Sequence, residues 1–281
     1  MKKAFLMGTV DNRIPGLLTW VKSAKGYIAK DWHLILVAQH YTPEQEAYVT
    51  SQIKDILGSD VAESHVTSFF MPDYMGCYRS KMHGMREVDA DYYISVDDDM
   101  RIIANTHYNR MLDIYKAHKE IGLLTGNMVK TPAIKNGLVP KLKNKLVYDP
   151  FAWTCGGLLF GRDLRDLFIQ EQDRTNKDYL NDDVEWGLEA YTNGFIQALY
   201  YGSVIIHDTE SAGGFADWAK LGKRDLCDET LIEYYRSYGK HERVGAENAV
   251  RGRTGRLITS KDLTPKAHRL HTKNKRIRVM S

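Results

Sequence analysis

The sequence has few of the residues that stabilise secreted proteins, and it has no segment typical of membrane proteins. Among 281 residues there are three cysteines, Cys77, Cys155 and Cys227. An odd, sparse set without CxxC spacing argues against a disulfide framework and a zinc site, so we expect a reducing cytoplasm. No apolar run reaches the roughly 18 residues that indicate a transmembrane helix. The first apolar stretch soon meets Asp11 and Arg13, which predicts a strand and no signal peptide.

The net charge of +3 is unevenly distributed along the chain. Residues 251–281 contain ten Lys/Arg and one acid, Asp262, whereas the remainder carries 29 basic and 35 acidic residues, a net charge of −6. Such a segment suits a polyanion, either nucleic acid or an anionic membrane surface. It contains no Trp or Phe, which disfavours membrane insertion. A solvated tail without a partner is the alternative of equal weight.

Short apolar runs and stretches with helical spacing alternate between residues 3 and 96. We predict strands in "KKAFLMGTV", "WHLILVAQH", "HVTSFFM" and "DYYISV", and helices in "LLTWVKSAKGYI", "TPEQEAYVTSQIKDIL" and "GCYRSKMHGMREV". The second helix has Thr42 as N-cap, Pro43 at its first position, Gln45 at the capping-box position and Gly58 at its end. This alternation is typical of an α/β protein with a mostly parallel sheet covered by helices.

The second half of the chain continues with mixed elements. We predict a helix in "NTHYNRMLDIYKAHKE", a strand in "IGLLTGNMV" and a long loop or hairpin over residues 130–147. A strand in "FAWTCGGLLFG", helices in "DLRDLFIQE" and "DDVEWGLEAYTNG", and a strand pair in "FIQALYYGSVIIHD" follow. We therefore expect one α/β domain over residues 1–235 and a basic, partly extended segment over residues 236–281.

Three consecutive aspartates, Asp97, Asp98 and Asp99, follow a predicted buried strand. Ligands of parallel α/β sheets collect at the carboxyl ends of the strands. A divalent cation would relieve the repulsion between the carboxylates, and oxygen ligands suit Mg²⁺ or Mn²⁺. Strand alternation would turn Asp97 and Asp99 to one side and Asp98 to the other. The alternative is an acidic loop or a helix N-cap, which aspartate also favours.

The run "GCYRSKMHGMREVDADYYISVDDDMRI" resembles the donor-binding segment of GT-A fold glycosyltransferases, in which a helix with basic residues precedes a strand that ends in DxD. The segment "TVDNR" after the first strand resembles the family's first loop, which lines the nucleobase and ribose. The resemblance implies a GT-A fold, a Rossmann-like mixed sheet flanked by helices. It also implies a set of donor-binding residues: Val10, Asp11, Arg13, Arg79, Lys81, Asp97 and Asp98.

Three later motifs resemble the same family in the same order. "WTCGGLLFGRDL" is similar to its acceptor strand and implies acceptor contacts by Trp153, Gly156 and Gly157. "NDDVEWGLEAYTNGF" is similar to its acidic helix start, with Asp182 in place of the usual Glu on the acceptor side and Asp183 as the implied catalytic base. "VIIHD" resembles the late strand whose histidine completes the metal site. The metal ligands implied are Asp97, Asp99 and His207.

The family resemblance implies transfer of a sugar from a nucleotide-sugar, with UDP as the expected nucleotide, Mn²⁺ or Mg²⁺ as cofactor and inversion as the expected stereochemistry. The acceptor stays open between a saccharide, a protein and a nucleic acid, for example a hydroxymethylated base as in phage-type DNA glucosylation. A nucleotidyltransferase, which releases pyrophosphate, is one alternative. A non-catalytic polyanion-binding protein with a structural acidic cluster is another.

The individual residues also have structural interpretations. Asp183 suits a helix N-cap, and His207 suits a hydrogen-bonded core position. Trp153 suits simple core packing, the Gly156–Gly157 pair suits a bulge, and Arg13 suits a solvated loop.

Overall fold

The computed structural model describes residues 1–119, 121–130, 142–148, 157–175, 186–187, 189–190, 193, 195–208, 249–251, 257–259 and 279–280. The strands are β1 (Lys3–Val10), β2 (Trp32–Gln39), β3 (Val66–Met71), β4 (Tyr92–Val96), β5 (Met100–Arg101), β6 (Ile121–Lys130), β7 (Leu146–Tyr148), β8 (Leu158–Gly161), β9 (Ile196–His207), β10 (Ala249–Arg251), β11 (Leu257–Thr259) and β12 (Val279–Met280). The helices are α1 (Ile14–Ile28), α2 (Pro43–Leu57), α3 (Ser59–His65), α4 (Gly76–Glu87), α5 (Tyr108–Ala117) and α6 (Arg162–Thr175), and a 3₁₀ turn covers Asp11–Arg13.

Most of these strands belong to one mixed sheet, in the order β12-β7-β9-β6-β8-β4-β1-β2-β3, with β5 paired to β9. Strands β3, β2, β1 and β4 are parallel to each other, and β6 is parallel to β9. Because β8 is antiparallel to both β4 and β6, these two strands point in the same direction. The carboxyl ends of β1, β2, β3, β4, β6 and β9 therefore share one edge of the sheet, called the carboxyl edge below.

Both faces of the central strands are buried, as expected for a parallel sheet covered by helices. Phe5 and Met7 face one apolar cluster with α1, α2 and α5, whereas Ala4 and Leu6 face a second cluster with α4 and α6. The alternation along β1 thus supplies both layers of core. The predicted α/β class is confirmed.

Local sequence signals predicted several boundaries correctly. Thr42 caps α2 in a full capping box with Gln45, and Gly58 ends that helix at φ +93°.

Strand β9 and helix α3 differ from the sequence predictions. The expected strand pair near the end of the domain is the single strand β9, whose pairing with β6 shifts in register between Gly126 and Asn127. Helix α3 was not predicted, because its seven residues are too short for a periodic pattern.

Other predictions fall partly outside the described residues. Of the expected loop or hairpin at 130–147, residues 131–141 lie outside them, and 146–148 form β7. In the basic segment, β10 pairs antiparallel with β11, and β12 pairs with β7. In the part of the chain that the structure describes, none of the helices combines the length and apolarity needed to cross a membrane.

Candidate functional site

The three aspartates lie in a turn at the carboxyl edge, directly after β4. The Met100 amide donates to the Asp97 carbonyl at 3.1 Å and closes this turn. Because the chain has left the strand, the side chains do not follow the alternation expected from the sequence. Asp98 and Asp99 both contact Arg13, whereas Asp97 contacts Lys81.

The turn is joined to the end of β9 by backbone pairing. Met100 lies opposite His207 in the short β5–β9 ladder, and the Asp208 amide donates to the Asp99 carbonyl at 2.6 Å. This pairing brings two residues 108 positions apart in sequence together: His207 Nε2 lies 3.2 Å from Asp99 Oδ2. The Arg101 guanidinium holds the same junction, since it donates to Asp208 Oδ2 at 3.0 Å and to the Asp98 carbonyl at 3.3 Å.

Asp98 is the most buried carboxylate of the turn, at 5% exposed. Its Oδ1 accepts from Arg13 Nε at 2.9 Å and Nη2 at 2.5 Å, and its Oδ2 accepts from Thr9 Oγ1 at 2.6 Å. Burial raises the pKa of Asp98, and the guanidinium of Arg13 opposes that rise. Both carboxylate oxygens are thus occupied by neighbouring side chains, so Asp98 holds Arg13 in place.

Arg13 extends from the 3₁₀ turn after β1, beside the start of α1. Burial alone lowers the pKa of Arg13, but Asp98 and then Asp99 raise it overall, so the guanidinium stays charged. Its Nη2 also lies 3.0 Å from Asp99 Oδ2. Gly16 permits this approach, because a Cβ there would lie 2.8 Å from the Asp98 carbonyl oxygen. The predicted solvated-loop alternative for Arg13 does not hold in this geometry, since its side chain is 11% exposed.

Lys81 supplies the second cation of the carboxylate turn. Its side chain on α4 is 1% exposed, and Nζ donates to Asp97 Oδ1 at 2.8 Å. Helix α4 comes this close because β1 has Gly8 beneath it, where a Cβ would lie 2.2 Å from Ser80 Oγ. Arg79 lies on the same helix, partly buried. The repulsion between the aspartates is therefore already reduced by Arg13 and Lys81, and by itself it does not require a metal ion.

The metal ligands expected from the sequence are only partly brought together. No group of three His, Cys, Asp or Glu side chains within the described ranges is arranged to hold a metal ion. Asp99 and His207 do form a pair, and two adjacent ligands of an octahedral ion bound at about 2.1 Å lie about 3 Å apart. Their separation of 3.2 Å fits that geometry. Burial raises the pKa of Asp99, but contacts with His207 and Arg13 outweigh burial and lower it.

The remaining predicted residues divide into those that the structure describes and those that lie outside the described residues. Val10 ends β1 at the carboxyl edge, and Asp11 Oδ2 lies 3.6 Å from Nδ1 of His40, just after β2. Gly157 donates its amide to the Ser95 carbonyl at 2.5 Å with φ +75°, where a Cβ would meet Ile205. The other group, Trp153, Gly156, Asp182 and Asp183, lies outside the described residues.

Sequence reasoning missed Thr9 and Arg101, both of which hold the turn. Thr9 had a usable signal, since it is a polar residue at the end of an otherwise apolar strand that leads into the first loop. Arg101 had none, because its partner Asp208 is 107 positions away.

No protein-family model matches the sequence, and no curated protein matches it. Solved structures do share its architecture. A structure of GalNAc-T7 with UDP, GalNAc and Mn²⁺ superposes with a TM-score of 0.54 at 13% identity, over 74% of this chain and 44% of that one. The mannosyltransferase PcManGT from Pyrobaculum calidifontis, with GDP-Man and Mn²⁺, gives 0.56 at 14% identity over 84% and 63%. S. aureus TarS 1–349 with UDP-GlcNAc gives 0.52 at 13% identity over 88% and 77%.

The chain has a GT-A fold. At 13–14% identity the likeness concerns the fold, while activity depends on the site that the fold carries. The chain spans less than half of the length of GalNAc-T7 and less than two thirds of the mannosyltransferase.

Proposed function

We propose that the protein is a metal-dependent glycosyltransferase that moves a sugar from a nucleotide-sugar to an acceptor hydroxyl. The observation that carries this proposal is the Asp99–His207 pair at the carboxyl edge of a GT-A sheet, with Arg13 and Lys81 beside it. This edge is where ligands bind in open α/β sheets. The GT-A structures that the chain resembles include complexes with Mn²⁺ and a nucleotide or nucleotide-sugar.

Asp99 and His207 are the proposed protein ligands of Mn²⁺ or Mg²⁺. Asp97, two residues before Asp99, is the third proposed ligand, and it would have to exchange its contact with Lys81 for the ion. When bound, the ion supplies Lewis-acid stabilisation of the leaving diphosphate. The protein's own cations, Arg13 and Lys81, add positive charge at the same edge, where negative charge develops as the diphosphate leaves.

The nucleotide of the donor is proposed to lie along the first loop. Val10 ends β1, Asp11 lies 3.6 Å from His40 just after β2, and Arg79 and Lys81 lie in the first half of α4, where Lys81 contacts Asp97. Both GalNAc-T7 and TarS have structures with UDP or a UDP-sugar, whereas PcManGT has one with GDP-Man. This favours UDP as the nucleotide to test first.

Asp183 is proposed as the catalytic base, which would take the proton of the acceptor hydroxyl and give inversion. Trp153, Gly156, Gly157 and Asp182 are proposed on the acceptor side, and of these Gly157 lies against β4 at the carboxyl edge. Replacing Asp183 by Asn should keep donor binding and slow transfer about 10²-fold or more, the typical share of a positioned base. Near-normal transfer would move the base to another carboxylate.

The acceptor class is proposed from charge alone. The net charge of −6 up to residue 250 and the ten Lys/Arg after it favour a polyanion, and a hydroxymethylated base in DNA would supply the hydroxyl. The sparse cysteines favour the cytoplasm as the compartment. Duplex DNA binding at several salt concentrations, for the full chain and a form that ends at Val250, tests this idea. Identical salt slopes, or no binding, would leave a saccharide or protein hydroxyl as the better acceptor.

The main test is thermal stabilisation by a panel of nucleotide-sugars with and without Mn²⁺, because a ligand that binds only the folded state raises the melting temperature. We expect Mn²⁺-dependent stabilisation by a UDP-sugar, lost in Asp99→Asn and kept in Asp55→Asn, a matched change on the exposed side of α2. Stabilisation unchanged by Asp99→Asn would contradict the metal assignment. Release of pyrophosphate in place of a nucleoside diphosphate would identify a nucleotidyltransferase, and binding of polyanions without any donor turnover would identify a binding protein.

A further inference from the structure

We propose that Arg13 is a built-in counter-cation of Asp99, so that the metal binds weakly alone and tightly only when the negative charge of a diphosphate screens the guanidinium. The inference rests on the proposed function, because it concerns the same site. It goes further by assigning to one residue the control of the order in which metal and donor bind.

The geometry places Arg13 where the metal would bind. Its Nη2 lies 3.0 Å from Asp99 Oδ2, the same oxygen that lies 3.2 Å from His207 Nε2. A metal ion shared by Asp99 and His207 must enter this space. The guanidinium would then lie within a few ångströms of a divalent cation, in a site where its own side chain is 11% exposed.

Arg13 cannot avoid the ion by losing its charge or by turning into solvent. An arginine side chain does not deprotonate in proteins. Its Nε and Nη2 both donate to Asp98 Oδ1, and Asp98 is fixed in turn by Thr9. Repulsion between the guanidinium and the metal is therefore part of the free energy of binding metal alone, and it is strong because the site is shielded from water.

A diphosphate would relieve this repulsion. The Nη1 group of Arg13 makes no hydrogen bond to any residue that the structure describes, so it is available to a phosphate oxygen while Nε keeps its contact with Asp98. The negative charge of the diphosphate then screens the guanidinium from the metal. Since coupling between two ligands is reciprocal, the metal raises nucleotide affinity by the factor by which the nucleotide raises metal affinity.

The test measures Mn²⁺ binding directly, from the electron paramagnetic resonance signal of free Mn²⁺, with and without uridine diphosphate. We expect the parent to bind Mn²⁺ alone weakly. Arg13→Gln should bind Mn²⁺ alone about tenfold more tightly or better, because a contact between charges in a shielded site exceeds the roughly 1.4 kcal/mol that corresponds to tenfold. The gain in metal affinity on adding uridine diphosphate should shrink by a similar factor.

Two further variants make the experiment decisive. Arg13→Gln leaves Asp98 buried without its cation, so the double variant Arg13→Gln/Asp98→Asn, which removes both charges, is measured in parallel and should show the same gain. Arg162→Gln removes an arginine that pairs with Asp89 and Asp91 beside the start of β4, at the other end of that strand, and should bind Mn²⁺ like the parent. Circular dichroism checks that each variant is folded.

The outcomes separate this inference from the proposed function. One outcome is that the parent binds metal with uridine diphosphate while neither Arg13 variant changes the affinity for metal alone. That outcome would overturn the role of Arg13 and leave the glycosyltransferase proposal intact. No Mn²⁺-dependent nucleotide binding in the parent would overturn both. Equal uridine diphosphate affinity with and without Mn²⁺ in the parent would contradict the proposed coupling whether or not the Arg13 variants fold.

Discussion

Ion pairs occur at both edges of the sheet, but they differ in how far they are removed from water. At the carboxyl edge, the side chains of Arg13 and Asp98 are 11% and 7% exposed, and that of Lys81 is 1% exposed. At the opposite edge, where β4 begins, Arg162 lies 2.9 Å from Asp89, with the two side chains 48% and 58% exposed. The distances are similar, so burial is the main difference between these two sets of ion pairs.

This difference indicates what each set of charges is for. Exposed pairs contribute about 0–1 kcal/mol and are tolerated anywhere on a surface. Buried pairs cost several kcal/mol in lost hydration, which their attraction does not always repay. Three cations and four carboxylates lie together at the carboxyl edge, and such concentrations are typical of functional sites. Four predictions test the comparison.

The largest effect on stability is expected for Arg13→Gln. The change leaves Asp98 buried with an uncompensated charge, and breaking a buried pair by removing one partner costs about 3–5 kcal/mol. Urea unfolding measures the loss. The double variant Arg13→Gln/Asp98→Asn should recover a large part of it, because no buried charge remains. A loss below about 1 kcal/mol for the single variant would place this pair with the exposed ones.

A smaller loss is expected for Lys81→Met. Methionine fills much of the space of the lysine stem and removes the cost of burying an ammonium group, whereas Asp97 is 23% exposed and keeps contact with water. We expect a loss of about 1–3 kcal/mol in urea unfolding, below that of Arg13→Gln. Equal losses for the two variants would mean that exposure of the carboxylate partner does not decide the cost.

Apart from α3, residues 3–96 could be predicted closely from the sequence, because their signals are local. The capping box at Thr42 and Gln45, the positive-φ Gly58 and the apolar strand runs each define an element within a few positions. The later part was less predictable. The expected strand pair became the single strand β9 because its position depends on pairing with β6, and no local pattern encodes that pairing.

The candidate site was predictable in its residues and less so in its contacts. The acidic turn and His207 could be named from motif and order. The contacts that hold the turn could not be predicted, since Thr9 and Arg13 lie 89 and 85 positions before Asp98 in the sequence. The carboxylate repulsion alone does not require a metal ion, because the fold brings Arg13 and Lys81 to the aspartates.

The third prediction concerns His33, a partly buried histidine on β2, and the change of the protein's stability with pH. Burial, with Lys2 and His65 nearby, lowers the pKa of His33 from 6.5 to about 4, and its Nε2 lies 2.8 Å from Thr67 Oγ1. The unfolded chain therefore binds this proton more readily. Stability from His33 is fully present above pH 6.5 and is lost as the pH falls toward 4.

We expect a loss of about 1–2 kcal/mol over this range, less than the full shift would give because the ring is partly exposed. His33→Gln should flatten that part of the curve in urea unfolding between pH 4 and pH 7, relative to the parent. Parallel curves for the two proteins would mean that His33 titrates normally in the folded state.

The smallest effect is expected for Arg162→Gln at the opposite edge. Arg162 pairs with Asp89 at 2.9 Å and Asp91 at 3.2 Å, but all three side chains are between 38% and 58% exposed. Water stabilises the separated charges almost as well as the ion pair does, so the loss in urea unfolding should be at most about 1 kcal/mol.

Salt sharpens the contrast between the two edges, because salt screens exposed charges and screens buried charges much less. In 1 M NaCl the effect of Arg162→Gln should nearly vanish, whereas that of Arg13→Gln should persist. If both losses fell equally with salt, the carboxyl edge would be as well solvated as the surface, and burial would not explain why its charges are costly to remove.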